Sequence, residues 1–150
     1  MLEDNKRKFL LMAKWKIEKE LEGKYNNTSH AKSARDYIQF FKNQSKLHYE
    51  VYLPDSGNLE LGIHCEIDNG FNNKQLADDL LDKYKHIFDE VSEYGFEEAY
   101  VKVYGKKGYY WTTLKYQIQI NDKNYNSYVD AIVNATSELI EKLDKAGANI

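Results

Sequence analysis

The chain has 150 residues, 42% of them hydrophobic and 30% charged, with a net charge of −3. That length suits one domain with a real core, and that balance is globular rather than disordered. The negative charge argues against a protein that coats DNA, because neutralising phosphates takes an excess of Lys and Arg.

No apolar run approaches the about 20 residues of a membrane span. Glu3, Asp4, Lys6, Arg7 and Lys8 near the start do not suit a signal peptide. A single cysteine, Cys65, excludes an internal disulfide and a cysteine-based zinc site. Together these features predict a cytoplasmic protein, of a bacterium or phage. A mean hydropathy of −0.75 suits a thin two-layer structure with much solvated surface. Thirteen tyrosines either mark a recognition surface or reflect an AT-rich genome.

In chain order, residues 4 to 22 read as a helix with Phe9, Leu10, Ala13, Ile17 and Leu21 on one face and Gly23 as its stop. Residues 24 to 28 form a polar loop. A second helix is predicted over about residues 29 to 42, from Ala31, Ala34, Tyr37, Ile38 and Phe41 at three- and four-residue spacing. Strict alternation follows. Leu47, Tyr49, Val51 and Leu53 point one way, and His48, Glu50 and Tyr52 the other. After a turn at Pro54 to Asn58, Leu59, Leu61, Ile63, Cys65 and Ile67 share a face, with Glu60, Gly62, His64 and Glu66 opposite. Keeping both apolar sets together pairs Leu53 with Leu59, which places His48 opposite His64.

The stretch from Phe71 to Phe96 reads as the central helix, with Leu76, Ala77, Leu80, Leu81, Tyr84, Ile87, Phe88 and Val91 on one stripe. Asn72 and Gln75 suit a capping box, and Phe71 with Leu76 a hydrophobic staple. Gly95 and Phe96 suit a Schellman stop. A second hairpin runs from Ala99 to Val103, turns at Gly105 to Gly108, and returns as a long strand from Tyr110 to Ile120. Tyr128, Val129, Ile132, Ala135, Leu139, Ile140 and Leu143 mark a last helix ending near Gly147. The expectation is a single α+β domain in two layers. It has a helical segment over 1–45, then hairpin, helix, hairpin, helix over 46–147. Its four-stranded, mainly antiparallel sheet carries helices on one face.

Two constellations stand out. His48-x-Glu50 and His64-x-Glu66 leave the same non-core face of the first hairpin. Imidazole and carboxylate are ligands for zinc, nickel or manganese, although polar residues also alternate on any solvated strand. The outer face of the second hairpin carries Tyr100, Lys102, Tyr104, Trp111 and Lys115, with Lys107 and Tyr109 at its tip. Aromatics interleaved with lysines suit stacking on bases and pairing with phosphates, or docking a protein. Catalysis finds less support. Cys65 falls on the apolar side, Gly105-x-x-Gly108 lacks the Lys-Ser/Thr of a phosphate loop, and no cofactor motif is present.

Lys107-Gly108-Tyr109-Tyr110-Trp111 resembles the strand signature of the RNA-recognition motif, except that Tyr110 and Thr112 stand where that family has a small and an aliphatic residue. Leu59-Glu60-Leu61-Gly62-Ile63-His64, then Asn73-Lys74 opening a helix that continues through Leu80-Leu81, give residues 47 to 145 a further resemblance. In pattern they resemble a bacterial domain of unknown function found with restriction-endonuclease-like proteins. The aromatic Tyr109-Tyr110-Trp111 departs from it. That resemblance implies an accessory module in, or aimed at, nucleic-acid-processing defence machinery, and no catalytic residue.

The function expected is non-catalytic binding of a protein partner through Tyr100, Lys102, Tyr104, Trp111 and Lys115. The alternatives are single-stranded nucleic-acid binding by the same face, and metal or ligand binding through His48, His64, Glu50 and Glu66.

Overall fold

The computed structural model describes residues 1–22, 30–33, 35–41, 47–66, 70–104 and 108–150. Helix α1 spans Glu3–Leu21 and buries Phe9, Leu10, Ala13, Ile17 and Leu21 along the stripe its spacing predicts. Glu3 and Asp4 in its first turn complement the helix dipole. The expected stop at Gly23 and the loop after it lie outside the described residues.

Where a second helix was expected, the chain forms β1 (His30–Ser33) and β2 (Tyr37–Phe41). The reason lies in Tyr37-Ile38-Gln39-Phe40-Phe41. Its aromatic and β-branched residues satisfy a period of two as well as a helical one, and they suit a half-buried pleated surface. Ile38 and Phe40 turn to the core while Tyr37 and Gln39 stay half-buried on the other side. β2 pairs with β3 (Leu47–Tyr52), matching Ile38 to Val51 and Gln39 to Glu50.

β3 and β4 (Glu60–Cys65) pair in the register the sequence predicts, with His48 opposite His64. At the turn between them Gly57 takes a φ of +80°, and a side chain there would collide with the Ile120 carbonyl. β5 (Tyr100–Tyr104) and β6 (Tyr109–Lys115) form the second hairpin. β6 ends well before Ile120; Tyr116 continues only as a bridge to Phe96. The turn residues 105 to 107 and the expected core position Ile67 lie outside the described residues.

The sheet is therefore six-stranded and antiparallel, in the order β1-β2-β3-β4-β6-β5, not four-stranded. The α+β class holds, and the expected helical segment over 1–45 is corrected to a helix followed by a strand pair. The joint between the hairpins is β4 against β6, which sets His64 opposite Trp111.

α2 spans Gly70–Ser92, so Asn72 lies inside its first turn rather than ahead of it as a cap. The helix is kinked at Tyr84, where φ is −113° and ψ is 20°. Gly95 has the positive φ expected of it, +113°. The closing bonds run from Gly95 N (3.0 Å) and Phe96 N (2.8 Å) to Ser92 O, not to Val91 as in a Schellman motif. That motif closes α3 (Tyr125–Lys145) instead, where Ala148 N donates to Leu143 O and Gly147 N to Asp144 O.

The helices cover one face. α1 packs on α3 and over β1 and β2, and α2 packs on β6, β4 and β5. Between helices and sheet lie Ile38, Phe40, Leu47, Tyr49, Val51, Leu61, Ile63, Cys65 and Leu114. Each fully buried aliphatic side chain there contributes about 1.5–3 kcal/mol. The Thr112 hydroxyl donates to the Ala77 carbonyl and ties β6 to α2. No helix among the described residues is long and apolar enough to cross a membrane.

Candidate functional site

The other face of the sheet holds both sequence constellations, and the β4–β6 joint makes them one. His48, His64, Trp111 and Lys102 are direct neighbours across β3, β4, β6 and β5. The row beside it runs Gln39, Glu50, Gly62, Thr113 and Tyr100. Gly62 is the gap in that row. A Cβ there would collide with the Thr112 carbonyl, so the strand crosses this point without a side chain.

This face is not a solvated strand surface. Trp111 is 3% exposed, His48 1%, His64 4%, Glu50 4% and Glu60 4%. The rings close over one another. Trp111 meets His64 edge-on at 4.3 Å between centroids, and Tyr104 lies 4.5 Å from His64 and 5.1 Å from Trp111. Phe41 and Tyr52 flank the group, 5.0 Å from His48 and 5.9 Å from Trp111. Of the residues expected to face a partner, Trp111 lies inside, and Tyr100, Lys102, Tyr104 and Lys115 are half-buried. Lys107 lies outside the described residues.

Most of the polar atoms are committed to one another. The Tyr100 hydroxyl donates to Glu60 Oε1 at 2.6 Å, and Lys102 Nζ reaches both Glu60 oxygens at 3.1 and 3.2 Å. Lys102 also lies 5.1 Å from the Trp111 ring centroid, a cation–π contact. Gln39 Nε2 donates to Glu50 Oε2 at 2.9 Å, and the Tyr104 hydroxyl to Glu66 Oε1 at 2.8 Å. Burial, then the Glu66 carboxylate, raise the Tyr104 pKa, so its hydroxyl stays a donor. The His64 ring, then Tyr104, hold the Glu66 carboxyl below its usual range despite partial burial.

His64 is the exception. Its Nδ1 lies 3.2 Å from Glu50 Oε2 and 3.7 Å from Glu66 Oε1, yet neither approach has hydrogen-bond geometry, and neither ring nitrogen has a hydrogen-bond partner. Trp111 Nε1 is likewise buried and without one. A buried donor or acceptor left this way costs about 1–3 kcal/mol. Above these groups opens a cavity of about 420 Å³, lined by Tyr37, Gln39, Glu50, Tyr52, His64, Glu66, Lys102, Tyr104 and Trp111.

Alternation already places Tyr52 and Glu60 on this face, but the sequence gives them no role. Tyr37 and Gln39 were hidden in the segment read as a helix. Lys115 sits in the strand outside the cavity lining, opposite Glu60. Cys65 faces the helices, where burial pushes its thiol pKa up to about 12, so it is a core residue.

The chain matches no protein-family model, no curated protein and no solved structure.

Proposed function

We propose that this protein is a non-catalytic binding module, and that the concave outer face of its sheet takes a small ligand. The observation that carries the reading is the cavity over His64 and Trp111. Its volume of about 420 Å³ lies within the range of small-molecule sites, about 300–1,000 Å³. Its walls are aromatic (Tyr37, Tyr52, Tyr104 and Trp111), and Gln39, Glu50, Glu66 and Lys102 supply polar groups. Burial of Trp111 favours such an occupant over a protein or a single nucleic-acid strand. Both of those would stack on rings that project from the sheet.

The lining sets two carboxylates against one lysine, and that lysine is already bound to Glu60. This balance suits a flat ring that is neutral or cationic. A binder is favoured over an enzyme because the polar groups are paired to one another, and the cysteine faces the other way with its thiol protonated. A reducing, cytoplasmic setting fits that single buried thiol. The resemblance to a restriction-associated domain makes nucleobases the first rings to try.

The protein carries its own reporter. Trp15 is 63% exposed on α1, so Trp15→Phe leaves Trp111 as the sole tryptophan at little structural cost. Adenine, cytosine, nicotinamide and tryptamine are titrated into that variant while Trp111 emission and Tm are followed. The reading expects a saturable emission change and a raised Tm with at least one ring. No response to any of them would overturn it.

A further inference from the structure

We propose that the floor of this cavity is a site for a divalent transition metal such as zinc, held by His48, His64 and Glu66 with Glu50 as the fourth ligand. The inference rests on reading the cavity as a binding site, and it adds what lies at its base.

Distances carry the argument. Ligand atoms of His48, His64 and Glu66 all lie within 4.8 Å of one another. Glu50 Oε2 lies 3.5 Å from His48 Nε2 and 3.2 Å from His64 Nδ1, and His64 Nδ1 is 3.7 Å from Glu66 Oε1. Zinc binds imidazole nitrogen and carboxylate oxygen at about 2.0–2.2 Å, so neighbours in a tetrahedral shell stand about 3.3 Å apart. The three measured separations bracket that edge length. They are also spacings at which no aligned hydrogen bond joins His64 to either carboxylate.

The surroundings are those of a prepared site. Gln39 donates to Glu50 and the Tyr104 hydroxyl to Glu66, which fixes both carboxylates from behind. Two carboxylates with two neutral imidazoles balance the charge of one divalent ion, which accounts for acidic groups crowding at a buried point. Two nitrogen and two oxygen donors suit zinc, cobalt or nickel over calcium and magnesium, which take oxygen. The cavity above leaves a path for the ion to enter.

The test uses the untagged full chain stripped with EDTA, titrated calorimetrically with zinc chloride and then, for its d–d absorption, with cobalt chloride. One zinc per chain is expected, with a rise in Tm and the visible bands of a four-coordinate cobalt site. His64→Gln should weaken zinc at least 100-fold and Glu66→Gln at least 10-fold. His86→Ala, at an exposed histidine of α2, should change nothing. Far-UV circular dichroism checks each fold, and if His64→Gln unfolds, the partly exposed Glu66→Gln decides. No zinc uptake, or uptake equal in wild type and Glu66→Gln, would overturn the proposal. Repeating the ring titrations on stripped and zinc-loaded protein separates the two readings. A ring that binds a protein unable to take zinc removes the metal and leaves the ligand site. Zinc binding with no ring response does the reverse.

Discussion

Lys6 and His64 are both buried polar side chains, and their surroundings differ. Lys6 is 1% exposed, and its ammonium meets Asp36 at 2.7 Å and Asp55 at 2.6 Å. Arg35 grips the same two aspartates and reaches Glu3 at 3.1 Å. Burial alone would lower the Lys6 pKa, but Asp36 and Asp55 outweigh it and leave it raised. This network ties α1 to the ends of the β2–β3 pair, and the Lys6 charge is answered there. His64 is as deeply placed, yet its neighbours stand at spacings that make no aligned hydrogen bond. The difference separates architecture from site: a buried charge with its partners in place holds the fold together, and a buried group short of partners marks where something else belongs.

Stability measurements break or sharpen that contrast. The largest effect belongs to the ring that frames the site. Trp111→Ala removes a side chain that is 3% exposed, and should cost about 3–4 kcal/mol in urea unfolding. A loss below about 1 kcal/mol would mean that the ring is at the surface after all. Next comes Lys6→Ala, expected to cost about 2–3 kcal/mol because two charge-assisted hydrogen bonds are lost. His64→Leu should do far less. In EDTA-stripped protein it should stay within about 1 kcal/mol of wild type, since an apolar side chain of similar size replaces a group without hydrogen bonds. A cost matching that of Lys6→Ala would make His64 a structural residue and erase the contrast.

The smallest effect is on pH dependence. The folded-state pKa of Glu66 is lowered from the ordinary 4.5. Its contribution is therefore complete above that value and is lost as pH falls through the lower, folded one. Glu66→Gln should remove about 0.5 kcal/mol of the acid loss between about pH 5 and pH 3, read from Tm against pH. An unchanged acid limb would show that the contacts of Glu66 with Tyr104 and His64 are lost in solution.

Much of this was legible in the chain. The stripes of α1 and α3 stand as spaced, and the register pairing His48 with His64 followed from keeping Leu53 and Leu59 on one face. Two things were hidden. Tyr37-Ile38-Gln39-Phe40-Phe41 fits both periods, and only pairing with β3 decides between them, so half of the cavity wall was placed in a helix. The meeting of His64 with Trp111 depends on β4 lying beside β6, and strand order is a long-range choice that alternation does not encode. Alternation also assigned Glu50, His48 and Trp111 to water. It reports which side of a strand a residue leaves, not whether neighbouring side chains close over it.

The most direct measurement is Trp111 emission in the Trp15→Phe variant, followed through the ring titrations with zinc present. The account predicts a saturable change with at least one ring, lost on His64→Leu while the fold stays intact. Emission that no ring alters would contradict it, and would leave the outer face as a second core layer.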